Sequence, residues 1–184
     1  MAKSTDAISP ELADWLGEQQ MFFVATAPLA AAGHVNCSPK GMDSLRVLAP
    51  GEVAYLDLTG SGAETIAHVR ENGRGRLMFC AFAGAPKIVR LHGRGEIVTA
   101  GHPRWSELLA RFPAQPGVRS IVLVQLTRVA SSCGYGVPVY EFVGQRDTLA
   151  DWAVKKGEDG VRRYQRDKNR RSLDGLPALD LDVE

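Results

Sequence analysis

The stretch YLDLTGSGAETIAHVRENG, Tyr55 to Gly73, starts as a strand and ends as a helix, with a Gly-Ser-Gly turn at the join. Ser61 and Glu64 stand in the S-x-x-E spacing of a capping box, just ahead of Ile66, Ala67 and Val69, and Asn72 and Gly73 close the helix. The same helix start, preceded by Thr59-Gly60-Ser61-Gly62, also offers backbone N–H groups and small hydroxyls at close range, which is the chemistry that receives a phosphate. From these residues alone the two readings stand side by side. The glycine spacing matches neither G-x-G-x-x-G nor the nucleotide P-loop, because no Gly-Lys-Ser/Thr follows.

Working outward, Tyr55 to Leu58 belong to the strand EVAYLDL (Glu52 to Leu58), and two earlier segments, MFFVATA (Met21 to Ala27) and HVNCSP (His34 to Pro39), also read as strands. After the helix come GRLMFCAF, KIVRLHGRGEIVT and RSIVLVQLTRVAS, each rich in β-branched or aromatic residues. Six strands predict a mainly β protein with peripheral helices. Gly93 and Gly95, inside the fifth of these strands, predict a bulge or bend that lets a small sheet curl into a barrel.

Helices flank this block. SPELADWLGEQQ carries Ser9 as N-cap and Pro10 at the first helical position. HPRWSELLARF reads as another, and RDTLADWAVKKG as a third, with Asp147 as N-cap and Gly157 as stop. The basic run VRRYQRDKNRRS mixes its arginines with aspartates before the acidic LDLDVE, and no aromatic platform accompanies it, so it reads as a solvated helix covering the barrel rather than a nucleic-acid arm. A single domain over 1–184 is expected, with a helical extension from about residue 145.

Composition narrows the function classes. Among 184 residues, 22 basic and 21 acidic side chains leave a net charge of +1, which argues against a general polyanion binder. The sequence has neither a basic flank leading into an apolar run near Met1 nor an apolar stretch long enough to span a bilayer, so a soluble cytoplasmic protein is expected. Cys37, Cys80 and Cys133 are odd in number and far apart, which suits reduced thiols rather than a disulfide framework. His34, His92 and His102 lack metal-ligand spacing, and His68 reads as a packed or solvent-facing helix residue before it reads as a catalytic acid.

The order of VNCSPKG, YLDLTGSG, AETIAHVRENG, RLMFCAF, IVRLHGRGEIV and SCGYGVPVYEF resembles the pyridoxamine 5'-phosphate oxidase-like family of flavin-binding split β-barrels, over roughly Met21 to Phe142. The resemblance implies a six-stranded split barrel, an FMN-dependent oxidoreductase acting on a small molecule, and a homodimer with FMN at the interface. It assigns Thr59, Ser61, Gly62 and Thr65 to the phosphate, and Ser38, Pro39, Lys40 and Gly41 to the ring and ribityl side. Tyr135, between two glycines, is a candidate for the flavin edge. True pyridoxamine phosphate oxidases place a basic pair where this chain has Glu64-Thr65, so the phosphate charge falls to Lys40, Arg90, Arg94 or a partner-chain arginine. Related split barrels that bind a deazaflavin coenzyme, or that store or sense flavin without turnover, are the alternatives.

Overall fold

The computed structural model describes residues 3–181. Its elements are β1 (Lys3–Thr5), α1 (Pro10–Gly17), β2 (Phe22–Thr26), β3 (Asn36–Lys40), β4 (Leu45–Ala49), β5 (Glu52–Leu58), α2 (Glu64–Asn72), β6 (Arg74–Cys80), β7 (Ile88–Val98), α3 (Trp105–Leu109), β8 (Val118–Ser132) and α4 (Thr148–Lys168). One antiparallel sheet runs β3-β2-β6-β7-β8-β5-β4, with β1 added against β8. Edge strands β3 and β4 do not pair, so the sheet curls without closing, as a split barrel does.

All six expected strands are present, and two short ones join them. β4 alternates Leu45, Val47 and Ala49 but is interrupted by Arg46 and ended by Pro50-Gly51, which hides it as a loop in the sequence. β1 is only three residues long. The expected bend also exists: pairing between β7 and β8 shifts register between His92 and Gly93. A Cβ on Gly93 would run into the Gln125 carbonyl, so only glycine permits this approach.

The period of two decides which side chains enter which core. Along β5, Val53 and Tyr55 pack with Phe22, Phe79, Leu91 and Val122 inside the curl, while Ala54 and Leu56 pack outside it under Leu108 and Phe112. Full burial of each large apolar side chain contributes about 1.5–3 kcal/mol. Asp57 continues the inward alternation and is completely buried, so a carboxyl group lies at the end of an apolar row.

α1 starts as its sequence indicates: Pro10 opens it, and Ser9 accepts a hydrogen bond from the Leu12 N–H at 3.2 Å. Leu16 carries it onto the inner core. α2 differs from the capping-box expectation. Its N-cap is Ala63, which makes no side-chain cap, and Glu64 is the first helical residue rather than the third. Glu64 instead accepts the Leu173 N–H at 3.2 Å. Gly73 does close α2, in the left-handed conformation. α4 continues past Gly157, whose φ of 67° breaks it into two helical segments, and its second half buries Val161 and Gln165. Asp147 occupies the N-cap position without a side-chain cap bond. Of the acidic LDLDVE end, residues 182–184 lie outside the described residues. No helix among the described residues is long and apolar enough to cross a membrane.

Candidate functional site

The Thr59–Gly62 turn is held from two sides. Asn169 Nδ2 donates to Gly60 O at 3.0 Å, and Gln165 Nε2 donates to Thr59 Oγ1 at 2.7 Å. Arg119 donates to Gly62 O at 2.8 Å, and Thr59 Oγ1 donates its own proton to Gly117 O at 2.8 Å. The turn is therefore pinned through the carbonyls of Gly60 and Gly62. No backbone partner takes the N–H of Gly60, Ser61 or Gly62 among the described residues, and the nine-residue α2 adds the positive end of its dipole beside them.

Beneath the turn lies a buried charge cluster. Lys40 Nζ meets Asp57 Oδ1 at 3.0 Å, and Arg119 Nε meets Asp57 Oδ2 at 2.7 Å, with Ser120 Oγ donating to the same oxygen at 3.2 Å. Burial by itself pushes the Asp57 carboxyl up; the Lys40 and Arg119 charges, with their hydrogen bonds, more than reverse this and bring it to about 2. Within the cluster two cations face the Asp57 carboxylate, while the Glu64 carboxylate lines the same cavity beside Gly62 and opposes them. Lys40 keeps 20% of its side chain exposed, and its ammonium has donors beyond the one given to Asp57.

A second network sets the polarity of the site's floor. Ser38 Oγ donates to Asn36 Oδ1 at 2.8 Å, while Asn36 Nδ2 donates to Thr65 Oγ1 at 3.0 Å and to Thr26 Oγ1 at 3.2 Å. Thr26 Oγ1 lies 3.0 Å from His68 Nδ1. The opposite ring nitrogen, Nε2, is buried without a hydrogen-bond partner among the described residues. Burial lowers the His68 pKa, against the opposing pull of Asp174, Glu64 and Glu71. His68 is thus a neutral packed residue.

These groups surround a cavity of about 400 Å³ lined by Ser38, Pro39, Lys40, Gly41, Ser61, Gly62 and Thr65 of the candidate residues. Pro39 sits there without cost because β3 is an edge strand and needs no N–H from it. Thr59 is fully buried behind the turn and borders the larger neighbouring cavity. Tyr135 is 82% exposed and lines neither cavity. Arg90 and Arg94 are also away from both; Arg90 donates to Ser132 Oγ at 3.0 Å.

Sequence reasoning missed Asp57, Arg119, Asn36, Gln165 and Asn169. For Asp57 a signal existed: an acid in the inward phase of an apolar strand must find cations. Gln165 and Asn169 gave none, since their role exists only once α4 lies across the turn. No group of three or more His, Cys, Asp or Glu side chains suited to a metal occurs among the described residues.

The unpaired N–H groups of the turn and the two cations beneath it fit a phosphate ester, with the Glu64 carboxylate beside Gly62 as an opposing charge. The open, curled antiparallel sheet with this site beside its edge strand defines the split-barrel class. Residues 8–133 match the pyridoxamine 5'-phosphate oxidase family. The pyridoxamine 5'-phosphate oxidase family protein ustO of Aspergillus flavus is 38% identical over 193 residues, covering 95% of this chain and 76% of that one. The chain belongs to the pyridoxamine 5'-phosphate oxidase family.

Solved structures share the fold. HupZ of Group A Streptococcus aligns over 66% of this chain and 91% of its own, with TM-score 0.52 and 22% identity. A Lactobacillus delbrueckii protein bearing the pyridoxamine 5'-phosphate oxidase name aligns over 68% of this chain and 94% of its own, with TM-score 0.51 and 19% identity.

Proposed function

We propose that this protein binds FMN and works as an oxidoreductase on a small molecule. The observation that carries the reading is the Lys40–Asp57–Arg119 cluster set beneath the Thr59–Gly62 turn, because it supplies positive charge where the basic pair of the true oxidases is absent. In this reading Ser61, the adjacent backbone N–H groups and Lys40 receive the phosphate. Ser38, Pro39 and Gly41 border the ribityl and ring side. FMN would supply the electron transfer, and the chain would supply orientation, charge and exclusion of water.

Family membership supports this assignment, and the large adjoining cavity favours turnover over storage. A second copy of the chain would complete the site: Tyr135, Val139 and Val143 are 82%, 78% and 95% exposed on the segment after β8, an apolar surface suited to a partner. The test is spectroscopic. Purified protein, reconstituted with FMN, should show flavin absorbance that bleaches anaerobically with a nicotinamide donor and returns with an electron acceptor. Stable FMN binding without any reduction would return the protein to flavin storage or sensing, and selective binding of a deazaflavin would replace the cofactor.

A further inference from the structure

The larger cavity, of about 1260 Å³, exceeds the roughly 300–1,000 Å³ of ordinary ligand sites. It meets the smaller cavity along a shared border of Gly41, Met42, Gly60, Ser61 and Leu149. Six aromatic side chains face it: Trp15, Phe82, Tyr140, Phe142, Trp152 and Tyr164. Trp152 and Tyr164 meet edge to face at 5.0 Å, and Phe82 and Tyr140 stack at 5.5 Å. We infer that this cavity binds a large, uncharged, polycyclic aromatic substrate beside the cofactor; the inference rests on reading the smaller cavity as the FMN site.

Three features lead to that ligand class. First, ring-lined walls reward flat aromatic surfaces through offset and edge contacts that aliphatic chains do not make. Second, the charged residues at the cavity cancel, with Glu18 and Glu141 against Lys87 and Arg146, and the Lys87 ammonium already lies 4.3 Å over the Trp15 ring. A net charge on the ligand would find no surplus of the opposite sign there. Third, the exposed segment that carries Tyr140 and Phe142 is tied back at two points: Tyr140 N–H donates to Phe82 O at 2.8 Å, and Gln145 Nε2 donates to Gln20 O at 2.8 Å. Tyr135, Val139 and Val143, on the surface offered to a second copy, do not line the cavity, whereas Tyr140 and Phe142 are both exposed and part of its wall.

Four of the six rings, Tyr140, Phe142, Trp152 and Tyr164, lie past residues 8–133, the stretch that matches the family, although the ustO relative aligns over 95% of this chain. Residues 8–133 therefore provide the polar cavity apart from Leu149, and the segment after β8 provides four of the six rings of the aromatic one.

The test uses FMN-loaded protein titrated with 1-aminoanthracene, a neutral three-ring fluorophore, alongside anthracene-2-sulfonate. Expected are saturable binding of the neutral probe and a loss of about tenfold or more for the sulfonate and for Trp152→Ala and Tyr140→Ala, with Trp152→Phe restoring most affinity. FMN affinity should hold within about twofold in each variant that melts like the wild type. Absence of saturable probe binding, or unchanged probe affinity in both alanine variants, overturns the inference. Parallel loss of FMN assigns these rings to the cofactor, and dissociation of a dimer by Trp152→Ala assigns them to a subunit interface; either also overturns it. If FMN fails to bind while the probe binds and Trp152→Ala weakens it, the aromatic site stands and the flavin reading falls.

Discussion

Lys40 and Asp57, seventeen positions apart on β3 and β5, meet at 3.0 Å over the inner end of the barrel core. The contact links core to site: Asp57 is fully buried, and Lys40 reaches the cavity. Lys40→Met is expected to weaken FMN binding by about 1.5–3 kcal/mol, the worth of a hydrogen bond to a charged group. It also removes a partner from a buried carboxylate, so stability should fall by about 1–3 kcal/mol even with Arg119 in place. Titration of apoprotein with FMN and denaturant unfolding separate the two losses. Unchanged FMN affinity would make Lys40 a purely structural partner of Asp57.

Asp57 gives the protein an acid limit. Its folded pKa is lowered from 3.8 to about 2, so the unfolded chain binds more protons between those values. The stabilisation, about 2 kcal/mol, is fully present above roughly pH 4 and is lost as pH falls toward 2. Measured by urea unfolding across this range, Asp57→Asn should remove that slope while lowering stability at pH 7 by about 3–5 kcal/mol, because Lys40 and Arg119 lose their shared counter-charge.

His68 adds a second, milder dependence. Its folded pKa lies below 6.5, so the unfolded state takes up the proton first and stability declines as pH falls below that value. His68→Gln should flatten the melting temperature between pH 6.5 and 5. The facing acids Asp174, Glu64 and Glu71 reduce the size of the shift without changing its sign.

Ser61 separates ligand binding from helix capping. Since Ala63 is the N-cap, Ser61→Ala should leave the apoprotein melting temperature nearly unchanged and weaken FMN by about 1 kcal/mol. A fall in melting temperature without loss of FMN would restore the capping box. Glu64→Gln preserves an acceptor for the Leu173 N–H and removes a charge near the phosphate, so FMN affinity should hold or tighten.

The clamp from α4 predicts coupling over a long sequence distance. Gln165→Ala and Asn169→Ala each free one group of the turn, and each should cost about 1–2 kcal/mol of stability and weaken FMN in parallel. If both variants lose stability while binding FMN as before, the turn is rigid without its clamp.

Subunit association is checked by light scattering of the FMN-loaded protein, where a dimer is expected at micromolar concentration. Val143→Asp should push it toward monomer, because a charge at a docked apolar position is desolvated without a partner. A wild-type monomer that retains FMN would remove the partner from the site.

Local pattern determined much of this protein. The alternation of Val53, Tyr55 and Asp57, the Ser9-Pro10 helix start, the Gly73 helix stop and the Gly93 bulge are short-range constraints, each readable from neighbours a few residues away. The gathering of Ser38, Lys40, Gly41, Ser61, Gly62 and Thr65 was legible through the order of whole segments rather than through any one of them. What only tertiary structure decided were the partners of buried polar groups. Arg119 reaches Asp57 across 62 positions, and Asn169 reaches Gly60 across 109. Sequence spacing carries no record of such pairs, since they arise from sheet pairing and from where α4 comes to rest. The capping box failed for the same reason: Ser61 and Glu64 have the right spacing, but long-range bonds to Gly60, Gly62 and Glu64 accompany a helix that begins at Glu64.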